Sequence, residues 1–181
     1  MRKTLLSLCL VFALANTTIV TAQTKNQGAT LVNQVEGIKE YKLANGMQVL
    51  LISDPSQSNM IVNIVYHVGS KHEGYGEKGM AHLLEHMLFK STKNLGDIKK
   101  MLSDKGGDAN GTTYYDRTNY YEIFPSSDEN LRWSLEMEAD RMINATIKQE
   151  DLDKEFSVVR NEFEIGEHSP SSVLMERVIS A

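Results

Sequence analysis

From Tyr41 onward the apolar residues come in short runs, and their spacing switches between two and about 3.6 residues. Tyr41-Lys42-Leu43 and Met47 to Ile52 flank Ala44-Asn45-Gly46. Asn-Gly between two such runs predicts a β-hairpin, because both residues tolerate a positive φ. Asp54-Pro55 marks a turn, and the mostly apolar run Met60 to Val68 reads as a buried strand. Gly69 to Gly79 is a glycine-punctuated loop. A helix follows, with Met80, Ala81, Leu83, Leu84, Met87 and Leu88 on its apolar side. A second helix is predicted from about Gly96 to Lys105, stopped by Gly106-Gly107. Ala109 to Phe124 is rich in Thr and Tyr and reads as strand, with a bulge or turn at Asp116-Arg117. Ser127 or Asp128 caps a helix to about Ile143, whose apolar side is Leu131, Leu135, Met137, Ala139, Met142 and Ile143. Within it, Asp140 and Arg141 read as surface charges or as an ion pair. A last helix runs from about Gln149 to Gly166.

Ahead of this pattern the chain has a different character. Arg2 and Lys3 precede an apolar run from Leu5 to Leu14, and Val20-Thr21-Ala22 resembles a small-residue cleavage site. Residues 1–22 therefore read as a signal peptide. The run is too short for a membrane span, so no stable span is expected after cleavage. Residues 23–37 are polar and read as a flexible lead-in, with one domain over 38–181. The expected destination is the periplasm or the exterior of a bacterium. The only cysteine, Cys9, lies within the signal, so the mature chain has neither disulfide nor thiolate ligand. With 24 acidic against 19 basic residues and no basic cluster, nucleic acid is not an expected partner.

The chemistry concentrates in His82-Leu83-Leu84-Glu85-His86, an H-x-x-E-H pattern. On a helix the two imidazoles lie about 40° apart, with Glu85 beside them. Two imidazoles so placed can bind one metal, and the carboxylate can reach a water held there. The residues around this polar strip are apolar, and unpaired polar groups buried among them would cost on the order of 1–3 kcal/mol each. His67 reads as a core or strand-end residue, and His72 and Glu73 as solvated loop residues. A three-ligand site needs one more donor, which must be His, Asp or Glu. On the last helix, Glu155 and Glu162 lie within about 20° of each other along the stripe of Val158, Val159 and Phe163. The helix geometry leaves open which of the two acids binds metal. Asp151 reads as a first-turn acid favouring the helix dipole, and His168 as a weaker rival ligand.

Taken together, four stretches resemble the pitrilysin-type, or inverzincin, zinc metallopeptidases. They are Gly79 to Phe89, Asn110 to Tyr121, Leu135 to Met142, and Val158 to Glu162. The resemblance implies an α+β fold: a largely antiparallel sheet with flanking helices, forming one half of a two-half enzyme and truncated at its C-terminus. It implies one zinc ion per chain held by His82, His86 and Glu162, with Glu85 as general base and Glu155 supporting the site. The implied function is zinc-dependent endopeptidase action on peptides or unfolded segments. The strand at Asn110, Gly111 and Thr112 is implied to be the edge on which an extended peptide pairs. Members of the family often carry Ala and an aromatic where Gly111 and Thr112 stand. The implied partner is the missing C-terminal half or a homologous chain. A non-catalytic subunit, or an inactive fragment needing a second half, is the alternative.

Overall fold

The computed structural model describes residues 28–179. The expected signal segment lies outside them, as does the first part of the expected lead-in. Among the described residues, those up to Asp54 and those from Pro55 onward form two compact units. Among the described residues no helix is long and apolar enough to cross a membrane.

The first unit is an antiparallel meander of β1 (Thr30–Val35), β2 (Ile38–Lys42) and β3 (Gln48–Ile52). The predicted β2–β3 hairpin is present, and its loop has its own chemistry. Gly46 N–H donates to Leu43 O at 3.0 Å, and Leu43 N–H donates to Met47 O at 2.9 Å. This is a three-residue loop in which Gly46 alone takes the left-handed conformation, at φ 91°. Asn45 contributes through its side chain instead, accepting from Met47 N–H at 3.1 Å. The structure differs over 30–35, part of the expected lead-in, which is a strand. Those residues pair with β2 through a two-residue turn at Glu36-Gly37, where φ is positive at both positions (49° and 87°). β1 is exposed along its whole length, so it left no apolar stripe to read.

The second unit is built on a three-stranded antiparallel sheet of β4 (Asn59–Tyr66), β7 (Thr118–Pro125) and β6 (Asp108–Thr113), in that order. β7 is central, and β6 is an edge. The Asp116-Arg117 turn links β6 and β7, which pair in register from Asp108 opposite Ile123 to Thr113 opposite Thr118. β4 forms where predicted but is buried on one face only: Val62 is inside, while Ile61 is 66% exposed. The helices are α1 (Met80–Met87), α2 (Ile98–Asp104), α3 (Asp128–Asn144), α4 (Gln149–Glu167) and α5 (Pro170–Ile179). Two-residue strands β5 (Ser91–Thr92) and β8 (Ala145–Thr146) pair with each other. Asp97 caps α2 by accepting from Lys100 N–H at 2.8 Å, and Ser127 caps α3 by accepting from Asn130 N–H at 3.1 Å. Phe124 of β7 packs against Ile98 and Leu102 of α2 and Met137 of α3. Each such side chain contributes roughly 1.5–3 kcal/mol when fully buried.

The inner face of α3 matches the apolar residues that predict it only at Met137. Leu131, Leu135, Met142 and Ile143 are 42–82% exposed, whereas Ser134, Met137, Glu138 and Arg141 are buried. Arg141 is neither a surface charge nor a partner of Asp140. It bridges Glu138, one helical turn back, and Glu122 of β7, whose Oε1 lies 2.8 Å from Nη2. Its guanidinium also lies over the Tyr120 ring, 4.4 Å from the centroid. Burial, and then the bond and charge of Glu138, push the Glu122 carboxyl up to about 8 against the pull of Arg141. Asp140 turns the other way, accepting from Thr92, Asn94 and Asn144. α3 is thus tied to β7 by charge and to β5 by hydrogen bonds.

Candidate metal centre

The H-x-x-E-H helix is α1, and its start is held by Glu73, which the sequence alone places in a solvated loop. Glu73 accepts from the backbone N–H groups of Gly79 at 2.9 Å and Ala81 at 2.8 Å. A carboxylate there satisfies two first-turn donors and complements the positive end of the helix dipole. The signal was an acid shortly upstream of a helix that lacks an Asp or Ser cap. Leu83 and Met87 are buried as expected, but Met80 and Leu84 remain 52% and 45% exposed.

α4 packs against α1 and brings its acids to the imidazoles. His82 Nε2 and His86 Nε2 are 3.3 Å apart. Glu162 Oε2 lies 3.4 Å from the first and 3.6 Å from the second. Zinc–ligand distances of 2.0–2.2 Å in a tetrahedron require donor separations of about 3.3–3.6 Å. The three donors therefore match the edges of one face of that tetrahedron, and they form the metal-competent cluster among the described residues. His82, His86 and Glu162 are placed to hold one zinc ion.

Glu155 does a different job. Its Oε2 lies 2.9 Å from His86 Nδ1. A carboxylate only accepts, so Nδ1 carries the proton and the lone pair of Nε2 is left facing His82 and Glu162. The other oxygen, Oε1, lies 2.5 Å from Lys90 Nζ. Burial is the largest influence on this carboxyl and opposes its ionisation, but the bonds from Lys90 and His86 together hold it below the usual carboxylate range. The apolar stripe of α4 faces no deep core: Val158 and Phe163 are 43% and 46% exposed. The two acids separate instead by depth, with the Glu155 side chain 13% exposed and that of Glu162 47%.

Glu85 points from α1 toward the sheet and is buried. Thr113 Oγ1 donates to its Oε2 at 2.7 Å. Gly111 provides the space: a Cβ there would sit 2.9 Å from Glu85 Oε1 and 3.0 Å from Cγ. His82, His86, Glu85, Glu155 and Glu162 line one open cleft of about 570 Å³, together with Asn110, Gly111 and Thr112 of β6. Lys90 and Thr113 were not singled out from the sequence. Lys90 lies beyond the end of α1, so no helical spacing marks it; Thr113 shares one face of β6 with Gly111. His67, His72 and His168 lie outside the cluster. His72 bonds back to Gly69, and His168 closes the C-terminal end of α4.

The chain is similar to known proteins. Residues 48–181 match the family described as insulinase (peptidase family M16). The zinc protease PqqE of Helicobacter pylori is 39% identical over 123 residues, covering 66% of this chain and 27% of that protein. An uncharacterized zinc protease of Rickettsia bellii is 33% identical over 144 residues, covering 78% of this chain and 34% of the relative. A crystal structure of a Helicobacter pylori protease superimposes with a TM-score of 0.68 at 33% identity, over 80% of this chain and 34% of that one. The chain thus spans about a third of the length of these bacterial relatives. On the family match and the cluster that goes with it, this chain belongs to the insulinase family of zinc peptidases, peptidase family M16.

Proposed function

We propose that the chain is the metal-binding part of an exported zinc endopeptidase that cleaves peptides or unfolded segments, with Glu85 as general base. One observation carries this reading: three metal donors converge beside a buried carboxylate in a cleft bordered by a free strand edge. Zinc, when bound, supplies an activated water and polarises the scissile carbonyl. Glu85 would accept the proton of the attacking water and hand it to the leaving amine. Thr113 fixes one Glu85 oxygen, so the carboxylate enters each cycle in a set orientation. Glu155 keeps the proton of His86 on Nδ1. Asn110, Gly111 and Thr112 offer their main chain to an extended substrate, as edge strands do. The rest of the peptidase, in the same polypeptide or as a homologous partner, completes the substrate chamber; the two-thirds of the relatives' length beyond this match supports that division.

Zinc content and cleavage of an unstructured peptide test this together. The expected result is one zinc per chain in both wild type and Glu85→Gln, with cleavage about 10²–10⁴-fold slower in the variant. A zinc-loaded chain that cleaves nothing by itself, and gains activity when the remaining region is added, fits a part that needs its second half. A folded wild type that takes up no zinc sinks the reading.

A further inference from the structure

Lys90 supplies no donor to the metal cluster, yet it is joined to it. Its Nζ lies 2.5 Å from Glu155 Oε1, while Glu155 Oε2 lies 2.9 Å from His86 Nδ1. Each oxygen of one carboxylate is therefore engaged by a different partner, one on either side. The Lys90 main chain is also fixed: its N–H donates to Met87 O at 3.1 Å and its O accepts from Ile98 N–H at 3.0 Å. A carboxylate held by a single hydrogen bond can swing into the open cleft that Glu155 lines. Held at both oxygens it has one orientation, and His86 then has one tautomer.

We propose that Lys90 is a positioning residue for the metal centre, clamping the outer oxygen of Glu155 so that the inner one holds His86 with Nε2 turned to the ligand cluster. This rests on the metal-centre reading above. Its physical content is tautomeric. An imidazole with its proton on Nε2 has no lone pair there and cannot ligate, so freeing Glu155 removes part of the binding-competent population. Lys90 also lines the cleft with Asp97 and Lys99. A lysine serving only to contact substrate would alter KM and leave metal affinity alone, so the two roles separate by experiment.

The test is zinc affinity of the purified chain by chelator competition, for wild type, Lys90→Met and Lys90→Arg. The expected result is about tenfold weaker binding in the Met variant, the low end for a group supporting a metal-ligating histidine, with recovery in the Arg variant. Side-chain ¹⁵N spectra of the metal-free proteins should show His86 protonated on Nδ1 in wild type and mixed in Lys90→Met. Should the Met variant not fold, Lys90→Gln keeps a polar group without charge and carries the same expectation. Unchanged zinc affinity and an unchanged His86 tautomer in a folded variant overturn the role of Lys90 and leave the metal centre standing. A folded wild type without zinc affinity overturns both.

Discussion

The acids around Arg141 and the acids around His82 and His86 are held under different rules. Glu122 and Glu138 are shut away from water, at 0% and 2% exposure, and their neutralising partner belongs to the chain. Even so, Glu122 Oε2 and Arg141 Nη1 find no hydrogen bond there, and the group is one positive charge against two carboxyls. A proton retained on Glu122 closes that imbalance. In the metal centre Glu155 is likewise partnered by Lys90 and His86. The atoms that remain are two imidazole nitrogens and a half-exposed carboxylate oxygen, all electron-rich and all within 3.6 Å of a neighbour in the group. The first cluster is balanced by a residue and a proton, and it ties β7 to α3. The second is completed only by a cation from outside, so its energy is available for binding rather than for folding.

That contrast can be broken most sharply at Arg141. Arg141→Met leaves two buried acids without their counter-charge and is expected to destabilise the fold by about 3–5 kcal/mol in denaturant titrations, with and without zinc. A loss below about 1 kcal/mol would show that the cluster is not what joins β7 to α3. Glu162→Gln should do the opposite. Its side chain is half exposed, so the metal-free stability should change by no more than about 0.5 kcal/mol, while zinc affinity falls by more than about a hundredfold. Glu155→Gln should weaken zinc by about 10–100-fold in the same competition assay, since the amide holds His86 less well and no longer pairs with Lys90.

The two clusters differ also in pH dependence. Glu122 has a raised carboxyl in the fold, so between its ordinary value and about 8 the native state keeps a proton that the unfolded chain gives up. Its contribution is full below the ordinary carboxylate range and is lost as pH rises toward about 8. Glu122→Gln imitates the protonated form. Unfolding free energies of the variant measured from pH 5 to 8 should therefore fall less with rising pH than those of the wild type. Equal slopes would mean that Glu122 is ionised throughout.

The metal centre could be read largely from the sequence because its chemistry follows helix periodicity. His82, Glu85 and His86 share a face by spacing alone, and Glu155 and Glu162 lie seven residues apart on α4, close to two helical turns. The family resemblance chose Glu162 as ligand, and the donor separations agree. The Arg141 cluster was hidden because the apolar residues of α3, Met137 apart, pointed to the wrong face. Leu131, Leu135, Met142 and Ile143 suggested an inner side, while Glu138 and Arg141, one turn apart, were the actual one. A second clue lay in Tyr120-Tyr121-Glu122-Ile123-Phe124, where period two puts Glu122 on the same buried face as Tyr120 and Phe124. β1 was missed for the reverse reason: a strand exposed throughout has no pattern to show. Lys90 acts on a carboxylate of another element, and only the folded contact reveals it, whereas Glu73 had the weaker signal of an acid just ahead of an uncapped helix.

β6 pairs with β7 along one side and leaves its other side to the cleft. If that edge receives the substrate, what it recognises is a stretch of backbone with its own amides unsatisfied. A folded protein offers such a stretch only when part of it opens, so cleavage would follow the target's local opening free energy more than its residue identities. A ligand that closes the target would then protect it without ever touching this chain.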